Sequence, residues 1–326
     1  MEPTPDDSEM DKRTDAGSEE HSVPAWRELL ALARPSHWMK NVIVLFPVLF
    51  ALRFDSGWAW LAAGVAAASF CLASSAGYVF NDLWDRREDL YHPVKKDRPV
   101  AAGRVEPTDA AIYGGLLAAS AFAVSAAVNL YVVGAVAGYL LLQVAYTLAL
   151  KHLMIIDVIV IAAGFVVRAA AGALALHVAV SPWLVVCTFT ICLFMGFCKR
   201  RMEVAAMEES GEAAKHRRSL AGYSPELLTH LITLSAAVAI VSYLLYAASA
   251  RTVQHFGTNY LVYTLPLVIY AVSRFAMVSM QDRYHDPTEL ILKDRPFQAG
   301  VVLWVLSVVL IILAGPSIGQ WLAKHC

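Results

Sequence analysis

The sequence predicts an all-α, polytopic membrane protein that crosses the bilayer nine times. Its 326 residues are 58% apolar and only 16% charged, and a mean hydropathy of +0.54 excludes a soluble globular chain. Several windows carry almost no charge and are long enough to cross a hydrocarbon layer of about 30 Å as helices. We place the nine spans near residues 38–54, 59–80, 109–129, 131–150, 154–176, 182–199, 227–249, 259–280 and 298–322.

Two segments precede the first span. Residues 1–23 hold eight acidic and two basic side chains without an apolar run, so we predict a disordered tail and no signal peptide. Residues 24–35 place Trp26 and Leu30 at helical spacing, which is typical of an amphipathic helix on the bilayer surface. Residues 24–326 are therefore predicted to form a single transmembrane domain.

The charges of the loops predict the orientation. Of the 26 Lys and Arg residues, nine spans place 22 on one side and only Arg53, Arg251 and Lys324 on the other, with Arg168 inside the fifth span. Because Lys and Arg concentrate on the cytoplasmic side, we predict a protein of the cell (inner or plasma) membrane with its amino terminus in the cytoplasm and its carboxyl terminus outside. The long charged loops then face the cytoplasm, so a water-soluble reactant is expected from that side.

An acidic cluster follows the second span directly, in the stretch NDLWDRREDLYHPVKKDRP at 81–99. If the helix of span two continues, Asp82, Asp85 and Asp89 stand at i, i+3 and i+7 and share one face. These carboxylates, with Asn81 as a neutral donor, are the hard oxygen ligands that Mg²⁺ prefers, and Mg²⁺ usually arrives with substrate phosphates. We predict catalytic roles for the three acids and a metal site formed by Asn81, Asp82 and Asp85.

A simpler explanation of the same cluster is a solvated helix end whose acids pair with Arg86 and Arg87. The spacing on one face and the abrupt change from apolar to acidic residues favour a metal-bridged diphosphate instead. Lys95, Lys96 and Arg98 fit that hypothesis because they could hold phosphate oxygens that the metal does not reach, although they could also serve only to enforce topology.

Two sequence patterns bear on loops and packing. The stretch KDRPVAAG at 96–103 recurs as KDRPFQAG at 293–300, with six of eight positions identical. A pair of anion-binding loops and a shared helix-start pattern, with proline near the first turn, both explain this repeat. Gly134 and Gly138 form a GxxxG pattern, which indicates close helix packing.

Arg168 stands alone inside span five, where an arginine costs at least about 2.5 kcal/mol and normally faces the bundle interior or a watery cavity. We predict a substrate-binding role for it, with a structural pairing to Asp157 as the alternative. Tyr146 and Lys151 are predicted to line the cytoplasmic half of the neighbouring spans. Tyr146 is equally well explained as a packed aromatic residue.

The pattern Asn81-Asp82-x-x-Asp85-x-x-x-Asp89 after a second transmembrane helix resembles the NDxxDxxxD motif of the UbiA superfamily of intramembrane prenyltransferases. The nine spans and the predicted cytoplasmic amino terminus agree with that superfamily, and the resemblance covers almost the whole chain after the acidic tail. It implies a UbiA-like bundle with cytoplasmic cap loops, which would make the transmembrane domain catalytic. It also implies Mg²⁺ as the cofactor and a diphosphate as a substrate.

Most members of the superfamily carry a second aspartate-rich motif between spans six and seven, and this sequence departs from it. The corresponding stretch, CKRRMEVAAMEES, has Lys199, Arg200 and Glu203 but no DxxxD. It resembles the decaprenyl-phosphate phosphoribosyltransferase branch, whose members have a KRxxE-type segment there, although Arg201 stands where that branch often has an aromatic residue. Further likenesses are the stretches PSHWMKN, HPVKKDRPVAAG, QVAYTLALKH, FVVRAAAG and PTELILKDR.

The resemblance predicts transfer of 5-phosphoribose from phosphoribosyl diphosphate (PRPP) to a polyprenyl, decaprenyl-type phosphate, with release of diphosphate at the cytoplasmic face. Exchanging an acidic cluster for Lys199 and Arg200 favours the same reaction, because a donor with an extra phosphate monoester needs an anion clamp. Glu203 is expected to bind a ribose hydroxyl or a metal, and Lys199 to take part in catalysis. Substrate binding is predicted for Lys40, Asn81, Lys95, Arg98, Tyr146, Lys151, Arg168, Arg200 and Glu203.

Two other functions remain open at this stage. An ordinary UbiA-type prenyltransferase would use the same first motif to move an isoprenoid from its diphosphate to an aromatic or other acceptor. A transporter would place paired polar residues at mid-bilayer and on both faces, whereas here the polar groups cluster on the cytoplasmic side. The bilayer is the expected surroundings, nucleic acid is not an expected partner, and the sequence leaves a homo-oligomer open.

Overall fold

The computed structural model of the chain describes residues 25–91, 95–210, 222–281, 283–284 and 286–325. The acidic tail predicted at 1–23 lies outside the described residues. Within the described part of the chain every regular element is helical, with no strand. The α-helices are α1 (Ala25–Ala33), α2 (Phe46–Phe50), α3 (Gly57–Trp84), α4 (Arg86–Asp89), α5 (Pro107–Ala126), α6 (Leu130–Leu148), α7 (Ile156–Ala175), α8 (Pro182–Ser210), α9 (Pro225–Ala248), α10 (Ala250–Phe256), α11 (Leu265–Ser279), α12 (Pro287–Lys293) and α13 (Arg295–His325).

Among the described residues, eight helices are long and apolar enough to cross a bilayer. They correspond to the second through ninth predicted spans, so the predicted all-α, multi-pass architecture is confirmed. Their bounds are Gly57–Trp84, Pro107–Ala126, Leu130–Leu148, Ile156–Ala175, Pro182–Ala206, Pro225–Ala248, Tyr260–Ser279 and Arg295–Gly315.

The first predicted span is not a regular α-helix, so the count of nine holds only approximately. It consists of a 3₁₀ helix of 11 residues, Pro35–Leu45, followed by the 5-residue α2. Pro47 has no N–H to donate to the carbonyl of Ile43, which disfavours a continuous α-helix through this point. At about 2.0 Å per residue for 3₁₀ and 1.5 Å for α-helix, the two pieces rise about 30 Å together, close to the bilayer thickness.

This irregular segment packs directly on α7 at Gly172. A Cβ built on Gly172 would lie only 2.0 Å from the carbonyl oxygen of Val44, so the contact requires a residue without a side chain. Asn41, Val44 and Val48 on the same segment are buried. Gly172 therefore sets how close the segment carrying Lys40 approaches the bundle interior.

Helices α3 and α7 form the interior of the amino-terminal half. Their buried positions are mostly small residues (alanine, glycine and serine), which allow helix axes to approach closely where the lipid supplies no hydrophobic drive for association. Phe70 and Tyr139 fill the space between α3 and α6. By contrast, Gly134 and Gly138 are exposed and a Cβ at either would meet nothing within 4 Å, so the close packing predicted from GxxxG is wrong for this chain.

The amphipathic helix predicted at 24–35 is present as α1. Leu32 packs among Val79 and Val100 beneath it, whereas Trp26 and Leu30 are exposed. Glu28 is buried and accepts a hydrogen bond from the Arg104 side chain, with 2.9 Å between Oε1 and Nε. This packing brings the residue that follows α1, Arg34, to the carboxyl-terminal end of α3.

Candidate active site

The acidic motif lies at a break in the helix, not on one continuous helix. α3 ends at Trp84, Asp85 adopts φ −86° and ψ 1°, and α4 begins at Arg86. Backbone bonds from Asp85 N to Asn81 O and from Asp89 N to Asp85 O, both 2.9 Å, carry the chain across the break. The expected uninterrupted helix is wrong because Asp85, between α3 and α4, sits in the bridge region of backbone space.

Asp82 and Asp89 share one cation, Arg98. Its Nη1 lies 3.0 Å from Asp82 Oδ1 and 2.7 Å from Asp89 Oδ2. Arg34 adds a second cation to Asp82, with Nη2 at 2.5 and 2.8 Å from the two oxygens. Both carboxylates are buried, and burial raises the pKa of Asp89 above its ordinary value against the pull of Arg98 and Lys95. Buried carboxylates need such partners to stay ionised.

Asp85 takes a different partner, the buried Lys151, which forms a close ion pair with it from the 3₁₀ turn Leu150–His152 between α6 and α7. Asn81 accepts a long hydrogen bond of 3.5 Å from the hydroxyl of Thr147. The ion pairs of the acidic motif thus come from other elements. The alternative in which the acids pair with the adjacent Arg86 and Arg87 is not what the structure contains.

A second charged cluster lies toward the carboxyl-terminal end of α8. Lys199 Nζ is 3.7 Å from Asp286 Oδ2 and 3.9 Å from Glu203 Oε1. Arg200 is buried, forms a close ion pair with Glu203 and places Nε 2.8 Å from Asp157 Oδ2. Its side chain also lies within electrostatic reach of Tyr146. The KRxxE segment therefore presents two cations, each already next to a carboxylate.

Lys40 joins the two clusters. It lies within electrostatic reach of Arg34 on the side of the acidic motif, and of Lys199 and Asp286 on the side of α8. His37 has the same neighbours. Burial raises the pKa of Asp286, but Lys199 and hydrogen bonds from Thr288 outweigh it and leave the pKa below its ordinary value.

Arg168 is buried deeper, in a network of neutral partners. Its Nε donates to Asn41 Oδ1 at 2.7 Å, Nη1 to Gly164 O at 3.0 Å, and Nη2 to Tyr139 OH at 2.7 Å and Ser74 Oγ at 3.2 Å. No carboxylate within the described residues forms an ion pair with it. The alternative pairing with Asp157 is wrong, because that carboxylate faces Arg200.

The two copies of KDRP have different surroundings. In the first copy Arg98 enters the acidic site, as described above. In the second, Asp294 caps α13 by accepting from Phe297 N at 2.8 Å and binds Arg274 at 3.1 and 2.8 Å, while Arg295 is exposed. The helix-start explanation therefore holds for the second copy, and only the first lies at the site.

The donor set of the acidic motif fits Mg²⁺ in kind, because it offers carboxylate and amide oxygens. No three acidic, histidine or cysteine side chains within the described ranges come close enough together to form a ready-made metal site. Arg34, Arg98 and Lys151 supply the positive charge that these buried acids need. A metal would have to take over part of that role.

Sequence reasoning overlooked three residues of this site: Arg34, His37 and Asp286. Arg34 is 48 positions from Asp82, and nothing in the local pattern links them. Asp286 carries one readable signal, an aspartate before proline at a helix start, and it does accept from Thr288 N at 2.7 Å. Its proximity to Lys199 depends on how α11 and α12 fold back against α8.

An apolar cavity of about 490 Å³ is lined in part by Ile43 and Met195, which stand three and four positions from Lys40 and Lys199 in the sequence. It reaches from Phe194 and Phe275 to Tyr246 and Phe256, between the first-span segment and α13. Its lining is almost entirely aliphatic and aromatic, so it suits a hydrocarbon chain.

Comparison with known proteins finds a matching family and several similar proteins. Residues 42–293 match the UbiA prenyltransferase family. A decaprenyl-phosphate phosphoribosyltransferase of Mycolicibacterium smegmatis is 34% identical over 290 residues, covering 85% of this chain and 90% of the relative. Proteins of the same name from Mycobacterium tuberculosis (33% over 283 residues, 84% and 91% covered) and Corynebacterium glutamicum (32% over 298 residues, 88% and 87% covered) are also similar.

Solved structures agree in fold. A UbiA homolog from Archaeoglobus fulgidus bound to GPP and Mg²⁺ superposes with a TM-score of 0.63 at 19% identity, covering 87% of this chain and 99% of that one. The apo UbiA homolog from Aeropyrum pernix K1 gives a TM-score of 0.60 at 16% identity, covering 83% and 98%. With the helical bundle, the acidic motif at the end of α3 and the matched span of the family, this chain belongs to the UbiA prenyltransferase family.

Proposed function

We propose that this protein transfers 5-phosphoribose from PRPP to a polyprenyl phosphate at the cytoplasmic face of the cell membrane and releases diphosphate. The observation that carries the proposal is the cationic character of the α8 end. Lys199 and Arg200, with Lys40 facing them, stand where a second acidic motif is typical of the superfamily. The names of the relatives at 32 to 34% identity support the same reaction.

The donor's two kinds of phosphate suit the two clusters. The diphosphate would lie at the acidic motif, with Arg34, Arg98 and Lys95 contributing charge-assisted hydrogen bonds. The 5-phosphate would lie against Lys40, Lys199 and Arg200. Glu203 already pairs with Arg200, so a ribose hydroxyl is a simpler role for it than a metal.

Asn81, Asp82 and Asp85 would hold Mg²⁺, with Asp89 beside them. When bound, the ion would stabilise the negative charge that develops on the leaving diphosphate. Arg34 and Arg98 are placed to pair with Asp82 before the donor arrives and to contact phosphate oxygens afterwards. Lys151 forms an ion pair with Asp85 from the turn between α6 and α7.

The chemistry balances without a general base. The bond between the anomeric carbon and the diphosphate oxygen breaks, and its electron pair leaves with the diphosphate. A phosphate oxygen of the lipid forms the new bond to the same carbon. Because that oxygen is already anionic at neutral pH, no proton has to move, and no catalytic histidine is required.

The acceptor would reach the site from the bilayer. The cavity between the first-span segment and α13 would take part of the isoprenoid chain, which leaves the lipid phosphate near Lys40. Arg168 uses its donors on Asn41, Ser74 and Tyr139, so we assign it to holding the segment of Lys40 in place instead of to direct phosphate binding.

The test is transfer by the purified full-length protein in lipid nanodiscs with Mg²⁺. PRPP labelled in the ribose and a polyprenyl phosphate should yield label in the organic phase, and excess chelator should abolish it. A parallel assay tests isoprenoid transfer. It contains radiolabelled isoprenyl diphosphate as the donor and 4-hydroxybenzoate as the acceptor, with unlabelled PRPP present.

An Asp82→Asn variant should lose transfer while eluting as the wild type does on size exclusion. Label that stays in the aqueous phase under all conditions would overturn the proposal. Label that enters 4-hydroxybenzoate from the isoprenyl donor would replace it with ordinary prenyl transfer.

A further inference from the structure

Tyr223 lies behind the charged site and touches neither the acidic motif nor Lys199. It is buried just before α9, and its hydroxyl lies 3.0 Å from Asp157 Oδ1 and 2.6 Å from the backbone nitrogen of Ile155. Burial raises the pKa of this phenol well above its ordinary value, so the hydroxyl stays protonated. It therefore accepts from the Ile155 N–H and donates to Asp157.

Asp157 contacts both Tyr223 and Arg200 and so links the two residues. The carboxylate is fully buried, and its Oδ1 takes the Tyr223 hydroxyl together with the Val158 N–H at 2.9 Å. Its Oδ2 then faces Arg200 Nε at 2.8 Å, although the two atoms are not aligned as a hydrogen bond. The contact is an ion pair whose direction depends on how Oδ1 is held.

The backbone of Ile155, just before α7, is strained. Ile155 has φ 69° and ψ −46°, a conformation that a β-branched residue avoids and that persists only where the surroundings hold it. The bond from Ile155 N–H to Tyr223 is one such restraint. Packing of Gly222 on Met154 is another, because a Cβ at Gly222 would lie 3.0 Å from Met154 Sδ.

The strained turn connects both halves of the site. Lys151 and Asp157 flank it, the first bound to Asp85 and the second to Arg200. Tyr223 is anchored between α8 and α9 and contacts the turn at Ile155 and Asp157. Its hydroxyl is thus placed to fix the direction of the Arg200 guanidinium.

We propose that Tyr223 is a positioning residue of the donor site, acting through Asp157 to orient Arg200. The inference rests on the proposed function, because it takes the bound molecule at Arg200 to be the phosphoribosyl donor. It assigns a role to Tyr223 and Asp157 that the acidic motif and the KRxxE segment do not contain. Loss of the hydroxyl should weaken donor recognition more than it slows the chemical step.

The test uses Tyr223→Phe in the full-length protein in nanodiscs. The KM for PRPP should rise about 10-fold while kcat falls less than about threefold, and donor binding measured by calorimetry with Mg²⁺ and no acceptor should weaken in parallel. Tyr270→Phe is the matched control, since Tyr270 donates its hydroxyl to Pro296 O at 3.4 Å on the far side of α11 and should change neither value.

A double variant separates positioning from general stability. In an Arg200→Lys background, adding Tyr223→Phe should raise the KM for PRPP no further, because the two residues act in one chain of contacts. Additive effects, or a fall in kcat alone at unchanged KM, would overturn the inference.

If Tyr223→Phe does not fold, Asp157→Asn replaces it and should give the same selective effect on donor KM. Wild-type protein that binds no PRPP would overturn the proposed function itself, whereas equal binding by wild type and Tyr223→Phe overturns only the inference.

Discussion

Arg34 Nη2 lies 2.5 and 2.8 Å from the two carboxylate oxygens of Asp82, although 48 residues separate them in sequence. Arg34 adopts a left-handed backbone, with φ 50° and ψ 62°, and its guanidinium lies 5.1 Å from the centre of the Tyr78 ring. The residue that follows α1 thus brings a cation to the first acid of the motif. This arginine therefore supplies a positive charge to a buried carboxylate.

Replacing Arg34 tests this neutralising role. Without metal, Arg34→Gln should lower stability by about 1 to 3 kcal/mol, since Asp82 keeps only Arg98 as a partner. Mg²⁺ with diphosphate should reduce the deficit, because the ion supplies the missing charge. Thermal unfolding with and without these ligands measures both effects. Arg27→Gln, on the exposed face of α1, is the control, and a deficit that ligands leave unchanged would contradict the assignment.

The KDRP repeat offers a matched pair of arginines. Arg98→Gln should reduce transfer by about 100-fold, because it removes the cation shared by Asp82 and Asp89. Arg295→Gln changes the same position of the second copy, which is exposed, and should keep activity within about twofold of wild type. Steady-state transfer rates decide this. Equal losses in both variants would mean that the repeat acts as a pair after all.

Asp85 and Lys151 should behave as a coupled pair, because Lys151 is buried and Asp85 is only partly exposed. Each single variant, Asp85→Asn or Lys151→Met, should destabilise by about 3 kcal/mol, and the double variant by clearly less than the sum. Chemical unfolding in detergent measures the free energies of unfolding that this double-mutant cycle requires. The exposed pair of Lys293 and Glu289 is the control and should show no measurable coupling. Simple additivity at the buried pair would show that their contact contributes nothing to folding.

Gly172→Ala should strongly destabilise the protein, whereas Gly134→Ala should not destabilise it. The new methyl group at position 172 would lie 2.0 Å from Val44 O, so the first-span segment must move, at a cost of about 3 kcal/mol. At Gly134 there is open space, and alanine should stabilise the helix by up to about 1 kcal/mol. Thermal midpoints of the two variants provide the comparison. Similar midpoints would mean that the segment does not pack as closely as described.

Arg168→Lys distinguishes a structural role from substrate contact. Lysine cannot reach Asn41, Ser74 and Tyr139 together, so we expect a loss of about 2 to 4 kcal/mol in stability. Thermal unfolding and PRPP binding are measured on the same samples. A variant of normal stability that fails to bind PRPP would return Arg168 to the substrate-contacting role predicted from sequence.

The sequence alone determined the membrane class, eight of the spans, the family and the placement of acids after span two. These properties follow from composition, from the length of apolar segments and from short motifs. All three are local features of the sequence, so they can be recognised without knowing how the chain folds. The KRxxE segment was also readable, because its meaning lies in which residue types replace the usual acids.

Only the tertiary structure decided which charges meet. It paired Asp82 with Arg34, Asp85 with Lys151 and Arg200 with Asp157, and it broke the helix at Asp85. It also turned the GxxxG face outward. Such pairings depend on which elements pack together across tens of residues, and in a low-dielectric interior each buried charge takes whatever partner that packing brings near.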